Sequence, residues 1–138
     1  MKGVFFMQYL YPVIFTEIED GSFVALAPDV PGCVTGGKDL KQAVKMIKDA
    51  LNACLCVLED EGEIPNSPTA PRDIVLEEDE FITLIEADTT KYRAETDNRS
   101  VRRNVSLPAW LNFKAEQANI NCSQILQKAL KQELQIAE

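Results

Sequence analysis

The sequence predicts an α+β protein built from two modules, β-β-β-α-β followed by a short strand and two short helices. Three observations carry that reading. Residues 39–58 keep an unbroken helical periodicity. The aromatic and β-branched runs around them are bounded by turn residues. The charge changes sign along the chain. Residues 1–90 hold 6 Lys+Arg against 17 Asp+Glu, whereas residues 91–138 hold 8 against 5, a split hidden by the overall net charge of -8. The expected division is a first domain over residues 1–88, a linker over 89–100 and a second domain over 101–138.

Residues 9–18 are rich in aromatic and β-branched residues and read as the first strand. Asp20-Gly21 follows, a pair favoured in two-residue type I′ hairpin turns, and residues 22–27 read as the returning strand. The turn cluster Pro28-Asp29-Val30-Pro31-Gly32 precedes a short third strand at Cys33-Val34-Thr35. Asp39 then opens a helix as its N-cap, with Gln42 three positions later as in a capping box. Leu40, Ala43, Val44, Ile47, Ala50, Leu51, Cys54, Leu55 and Leu58 make one broad apolar stripe, and Gly62 supplies the stop. Pro65, Pro68 and Pro71 mark an irregular connection. Residues 81–87 alternate as a fourth strand, and residues 89–100 are polar enough to read as linker.

Beyond it, residues 101–107 alternate as a brief strand ending at Pro108. A helix follows over 109–119, and a second starts at Asn121, whose side chain can cap it ahead of Gln124. A unit of about forty residues cannot bury these apolar side chains alone, so it is expected to be an obligate dimer.

Composition excludes several chemistries. With His 0 in 138 residues, histidine-based acid–base catalysis and every His-containing zinc site are impossible. The four cysteines lack CxxC spacing and read as reduced thiols of a cytoplasmic protein. The apolar residues 3–15 contain Gln8 and Pro12 and are too short to span a membrane, so they read as strand rather than targeting segment. The carboxylates cluster at turns and before the last strand, with none in the middle of the first, so no metal, cofactor or catalytic residue is expected.

The sharpest segment is Arg102-Arg103-Asn104-Val105-Ser106-Leu107-Pro108. Alternation puts Val105 and Leu107 on one side and Arg102, Asn104 and Ser106 on the other. Two such strands paired antiparallel form a ribbon that fits the DNA major groove, where Asn suits adenine and Arg suits guanine. The helix start at Asn121-Cys122-Ser123 offers free N–H groups to a phosphate. Residues 101–136 resemble the ribbon-helix-helix repressors of the Arc/MetJ type. That resemblance implies groove-facing Arg102, Asn104 and Ser106 and a shared dimer core of Val105, Leu107, Leu111, Ile125 and Leu130. Arg103 departs from the pattern, standing where the family usually has an apolar residue, and suits a phosphate contact.

Residues 9–68 are similar to HicB-type antitoxins, through Tyr11-Pro12-Val13-Ile14-Phe15, Asp20-Gly21, Ala27-Pro28-Asp29-Val30-Pro31-Gly32-Cys33, Thr35-Gly36, the helix from Leu40 and Ile64-Pro65. The resemblance implies a partial ribonuclease-H-like fold without catalysis, partnered by a small RNA-cleaving HicA-type toxin. Some members carry a ribbon-helix-helix tail, which implies operator double-stranded DNA as a second partner and a homodimer, with assembly into tetramers left open. Glu59, Asp60 and Glu61 crowd a helix C-terminus, where the helix dipole disfavours negative charge. They are therefore expected, with Asp29, to face a basic toxin. The alternative is a free-standing regulator whose acidic module senses a ligand or protein; a divergent nuclease is the third class.

Overall fold

A computed structural model describes residues 8–136. The expectation for residues 3–7 lies outside them. The chain forms two compact units that divide between Asn98 and Arg99.

In the first unit, β1 (Gln8–Glu17), β2 (Phe23–Leu26), β3 (Val34–Gly37) and β4 (Glu80–Asp88) form one antiparallel sheet in the order β3-β2-β1-β4. Helix α1 (Leu40–Asp60) connects one edge strand to the other, so β4 pairs with β1 in nine-residue register from Gln8↔Asp88 to Thr16↔Glu80. The inward face of the sheet carries Tyr11, Val13 and Phe15 of β1, Ala25 of β2 and Ile85 and Ala87 of β4. Against it α1 buries Ala43, Ile47, Leu51 and Leu55, the expected stripe, while Leu40 stays exposed at its start. Phe81 stacks on Phe15 at 5.5 Å between ring centroids and meets Phe23 edge-on at 6.3 Å, closing one end of this core.

Local chemistry sets the element ends. Asp39 accepts from Gln42 N–H at 2.8 Å, while the Gln42 side chain accepts from the N–H of Lys38 at 2.7 Å. At the other end of α1, Gly62 takes φ +74, its N–H donates to Glu59 C=O and the N–H of Glu63 reaches back to Leu58 C=O. Pro31 and Gly32 occupy the centre of a turn closed by Cys33 N–H to Val30 C=O at 3.1 Å, with φ +79 at Gly32. Proline before a positive-φ glycine is the signature of a type II turn.

The β1–β2 hairpin differs from the expected type I′ turn. Gly21 has φ +90, but Asp20 is not left-handed, and Gly21 N–H donates to Ile18 C=O at 2.9 Å. The loop is a type I turn followed by a left-handed glycine. Asp20 Oδ1 accepts from both the N–H and the hydroxyl of Ser22, which satisfies the carboxylate without requiring a positive φ.

A second correction concerns residues 89–100. Thr89–Thr96 form a helix, α2, capped by Asp88, whose side chain accepts from Lys91 N–H at 3.0 Å. Polar composition concealed it because α2 buries little apolar surface and is held largely by hydrogen bonds and ion pairs. The thiols are unpaired; burial, and then Cys54 beside it, pushes the Cys33 thiol up to about 12.

In the second unit, α3 (Ala109–Gln117) and α4 (Cys122–Glu133) are the two expected helices. Asn119, at φ 55, ends α3 in a left-handed residue, and Asn121 accepts from Gln124 N–H at 3.1 Å as the cap of α4. Residues 101–107 form no strand within one chain.

A Cβ added to Gly37 would lie 2.4 Å from the backbone nitrogen of Ala43, so β3 meets the first turn of α1 backbone to backbone. Gly37→Ala is expected to cost about 1–3 kcal/mol, read as a lowered denaturant midpoint with an unchanged m-value; an unchanged midpoint would contradict this contact.

Candidate functional site

The acidic end of α1 was expected to face a partner, and there the structure corrects the sequence reading. Ala43, Ile47, Leu51, Leu55 and Glu59 recur every four residues, so the buried stripe of α1 runs on into Glu59. That carboxylate is 0% exposed. Its Oε2 accepts from the Tyr9 hydroxyl at 2.7 Å and from Thr89 Oγ1 at 2.9 Å, and its Oε1 pairs with Arg93 at 2.9 Å. Glu59 is therefore a cross-brace joining α1, β1 and α2, inaccessible to a partner. The spacing of the stripe was the signal that could have revealed it. Arg93, in a segment read as linker, had no sequence signal.

Arg93 also bonds Asp60 Oδ1 at 3.0 Å and donates to Cys56 C=O at 3.1 Å. It thereby supplies the positive charge that the end of α1 lacks on its own helix. Asp60 and Glu61 remain exposed. Burial, and then the hydrogen bond to Glu59, raises the Tyr9 hydroxyl well above the usual tyrosine range.

Asp29 has an internal role as well. Its two carboxylate oxygens accept from the N–H of Thr69 at 2.9 Å and its hydroxyl at 2.6 Å, and its C=O accepts from Asn66 Nδ2 at 2.9 Å. The Tyr11 hydroxyl donates to Asn66 C=O. These bonds tie the proline-rich connection to the turn before β3, so Asp29 is a positioning residue for that loop.

In the second unit Arg102, Arg103, Asn104 and Ser106 are all exposed. Arg102, Arg103 and Asn104 line one groove with Ser123 and Gln127 of α4; Ser106 and Asn121 lie outside its lining. Val105, Leu107, Leu111, Ile125 and Leu130, expected as shared core, are also exposed, and together they form no core within one chain. Trp110 and Phe113 add further uncovered apolar surface, at 63% and 60% exposure.

Among the described residues no group of three or more Cys, Asp or Glu side chains converges as a metal site, and no helix is long and apolar enough to cross a membrane.

A family model described as the HicB-like antitoxin of bacterial toxin–antitoxin systems matches residues 11–130, most of both units. The chain belongs to the HicB-like antitoxin family. A protein from the rep–hol intergenic region of Haemophilus phage HP1 is 31% identical over 111 residues, covering 78% of this chain and 80% of the phage protein. The fold is similar to that of a chain in a toxin–antitoxin complex from Streptococcus pneumoniae, with TM-score 0.57 and 19% identity over 92% of this chain and 99% of the other. It is similar also to the Burkholderia pseudomallei antitoxin HicB, with TM-score 0.51 and 19% identity over 94% of this chain and 98% of the other. The structure accordingly presents a HicB-like antitoxin whose first unit is braced through Glu59 and whose second unit lacks a core of its own.

Removing the arginine isolates a buried carboxylate. Arg93→Met is expected to destabilise the first unit by about 2–4 kcal/mol. Glu59→Gln, which keeps an acceptor for Tyr9 and Thr89, should cost less. Equal melting temperatures for both variants and the unaltered chain would exclude the brace.

Proposed function

We infer that this HicB-like antitoxin neutralises a small HicA-type ribonuclease toxin by binding it, and that it represses its own operon as a ribbon-helix-helix dimer on operator DNA. The observation that carries the reading is the family match over residues 11–130, which joins an acidic unit and a basic, coreless unit in one antitoxin chain. The first unit, expected over residues 1–88 and here extended by α2, binds and occludes the toxin. Asp60 and Glu61 contribute to the negative field that steers a basic toxin toward it. The mechanism is occlusion by binding, without a catalysed reaction.

For the second unit, burial supports the reading. A unit whose apolar side chains are nearly all exposed needs a second copy to exclude water from them. Pairing residues 101–107 across a twofold axis turns Val105 and Leu107 inward and Arg102, Asn104 and Ser106 toward a major groove. Arg103 and the α4 N-terminus at Asn121 and Ser123 then lie within reach of phosphates. Twofold symmetry implies inverted half-sites in the operator.

The test is co-purification with the product of the neighbouring reading frame, using the full chain and a chain ending at Asn98. The cut belongs after α2 because an earlier one removes Arg93 and exposes Glu59. Toxin capture by both chains supports the division of labour; loss with the shorter chain refutes it. In mobility shifts on the upstream DNA, Asn104→Ala should cost about tenfold or more in operator preference, with the dimer intact. Binding should also fall steeply as salt rises.

A further inference from the structure

Helix α1 covers one face of the four-stranded sheet; on the other, Pro12 is buried and Ile14 and Ile82 are half-buried at the centre, while the apolar side chains around them stay exposed. The strand registers Val34↔Leu26, Leu26↔Ile14 and Ile14↔Ile82 place four aliphatic side chains in one row across all four strands on that outer face. Leu10, Val24 and Leu84 extend the row into a patch. Val34 is 55% exposed, Leu84 47% and Leu26 42%. An apolar face contiguous across a sheet marks an interaction surface rather than the scattered apolar residues usual on proteins.

Charge identifies the occupant. None of the four strands carries a Lys or Arg, whereas Lys41, Lys45 and Lys48 sit on α1 in the opposite layer. The tip of the β1–β2 hairpin brings Glu17, Glu19 and Asp20 to the end of the sheet where β4 begins. Glu77, Glu78, Asp79 and Glu80 adjoin them there, joined by Glu17 N–H to Asp79 C=O at 3.3 Å. Glu86 stands on the outer face itself, opposite Leu10. Two copies meeting through this face would bring acidic rims together, with no Lys or Arg on the four strands to offset them. A basic protein with an apolar patch meets both features at once.

We propose that the outer sheet face, centred on the Val34–Leu26–Ile14–Ile82 row and rimmed by the Glu17–Glu80 end, is the surface on which a basic protein partner docks. The assignment rests on the antitoxin reading above and names the toxin's seat on the chain. It moves the contact from the end of α1, where Glu59 is sealed, to the opposite layer of the unit.

The test measures affinity of the full chain for the purified product of the neighbouring reading frame. The double variant Leu26→Glu/Leu84→Glu adds negative charge that should attract a basic partner, so weaker binding isolates the apolar contact. A loss of about a hundredfold or more in Kd is expected. Glu78→Lys/Asp79→Lys alters only an exposed loop, leaves the fold intact, and should slow association about tenfold at low salt and less at high salt. Asp60→Lys/Glu61→Lys should cost less than either. If the unaltered chain binds and both face variants bind equally well, the surface is wrong and the antitoxin reading stands. If the face variants keep the partner but reduce the oligomer, a second copy covers the face and the proposal falls. Failure of the unaltered chain to bind overturns the antitoxin reading, and this surface with it.

Discussion

One helix can cover only one face of a four-stranded sheet, and that constraint organises the first unit. The face against α1 holds the buried aromatic and aliphatic side chains, so strand order, register and the stripe of α1 must agree for the core to close. Gly37 shows how tight the agreement is, since β3 approaches the first turn of α1 without room for a side chain. The other face then has to be solvated or paired. It carries an aliphatic row rather than the polar alternation of a solvated sheet, the observation on which the proposed docking surface rests.

The buried carboxylate at the end of α1 is the counterpart of that economy. A charge withdrawn from water costs several kcal/mol unless bonded on all sides. Glu59 obtains its partners from a tyrosine on β1, a threonine at the start of α2 and an arginine one turn later. A cluster that looks, in one dimension, like surplus negative charge for a partner is divided in three dimensions. Glu59 holds the unit together, while Asp60 and Glu61 remain at the surface. The brace also fixes where the first unit ends, because α2 is part of it.

The second unit follows the opposite strategy. Asn121 caps α4 and Asn119 ends α3 in a left-handed turn, yet the unit's apolar side chains have nowhere to go within one chain. The two helices form while burial stays incomplete, the observation on which the proposed dimer rests.

The helix caps, the turn at Pro31-Gly32 and the stripe of α1 were legible in the sequence because neighbours within four residues determine them, whereas the type of the Asp20-Gly21 turn was not. Asp39, Gly62, Asn121 and the Pro31-Gly32 pair act through their own backbones and nearest N–H groups. The HicB-like resemblance was legible for the same reason, since it rests on short turn-forming strings. The seat of β4 beside β1, the pairing of Glu59 with a residue thirty-four positions away, and the helix at 89–96 belonged to another level. Each depends on which distant surfaces meet, and a carboxylate in a linear string carries no mark of whether water or an arginine will face it. Folding settled that through desolvation, because a charge beside Leu55 on the inward stripe must find its partners or leave the core.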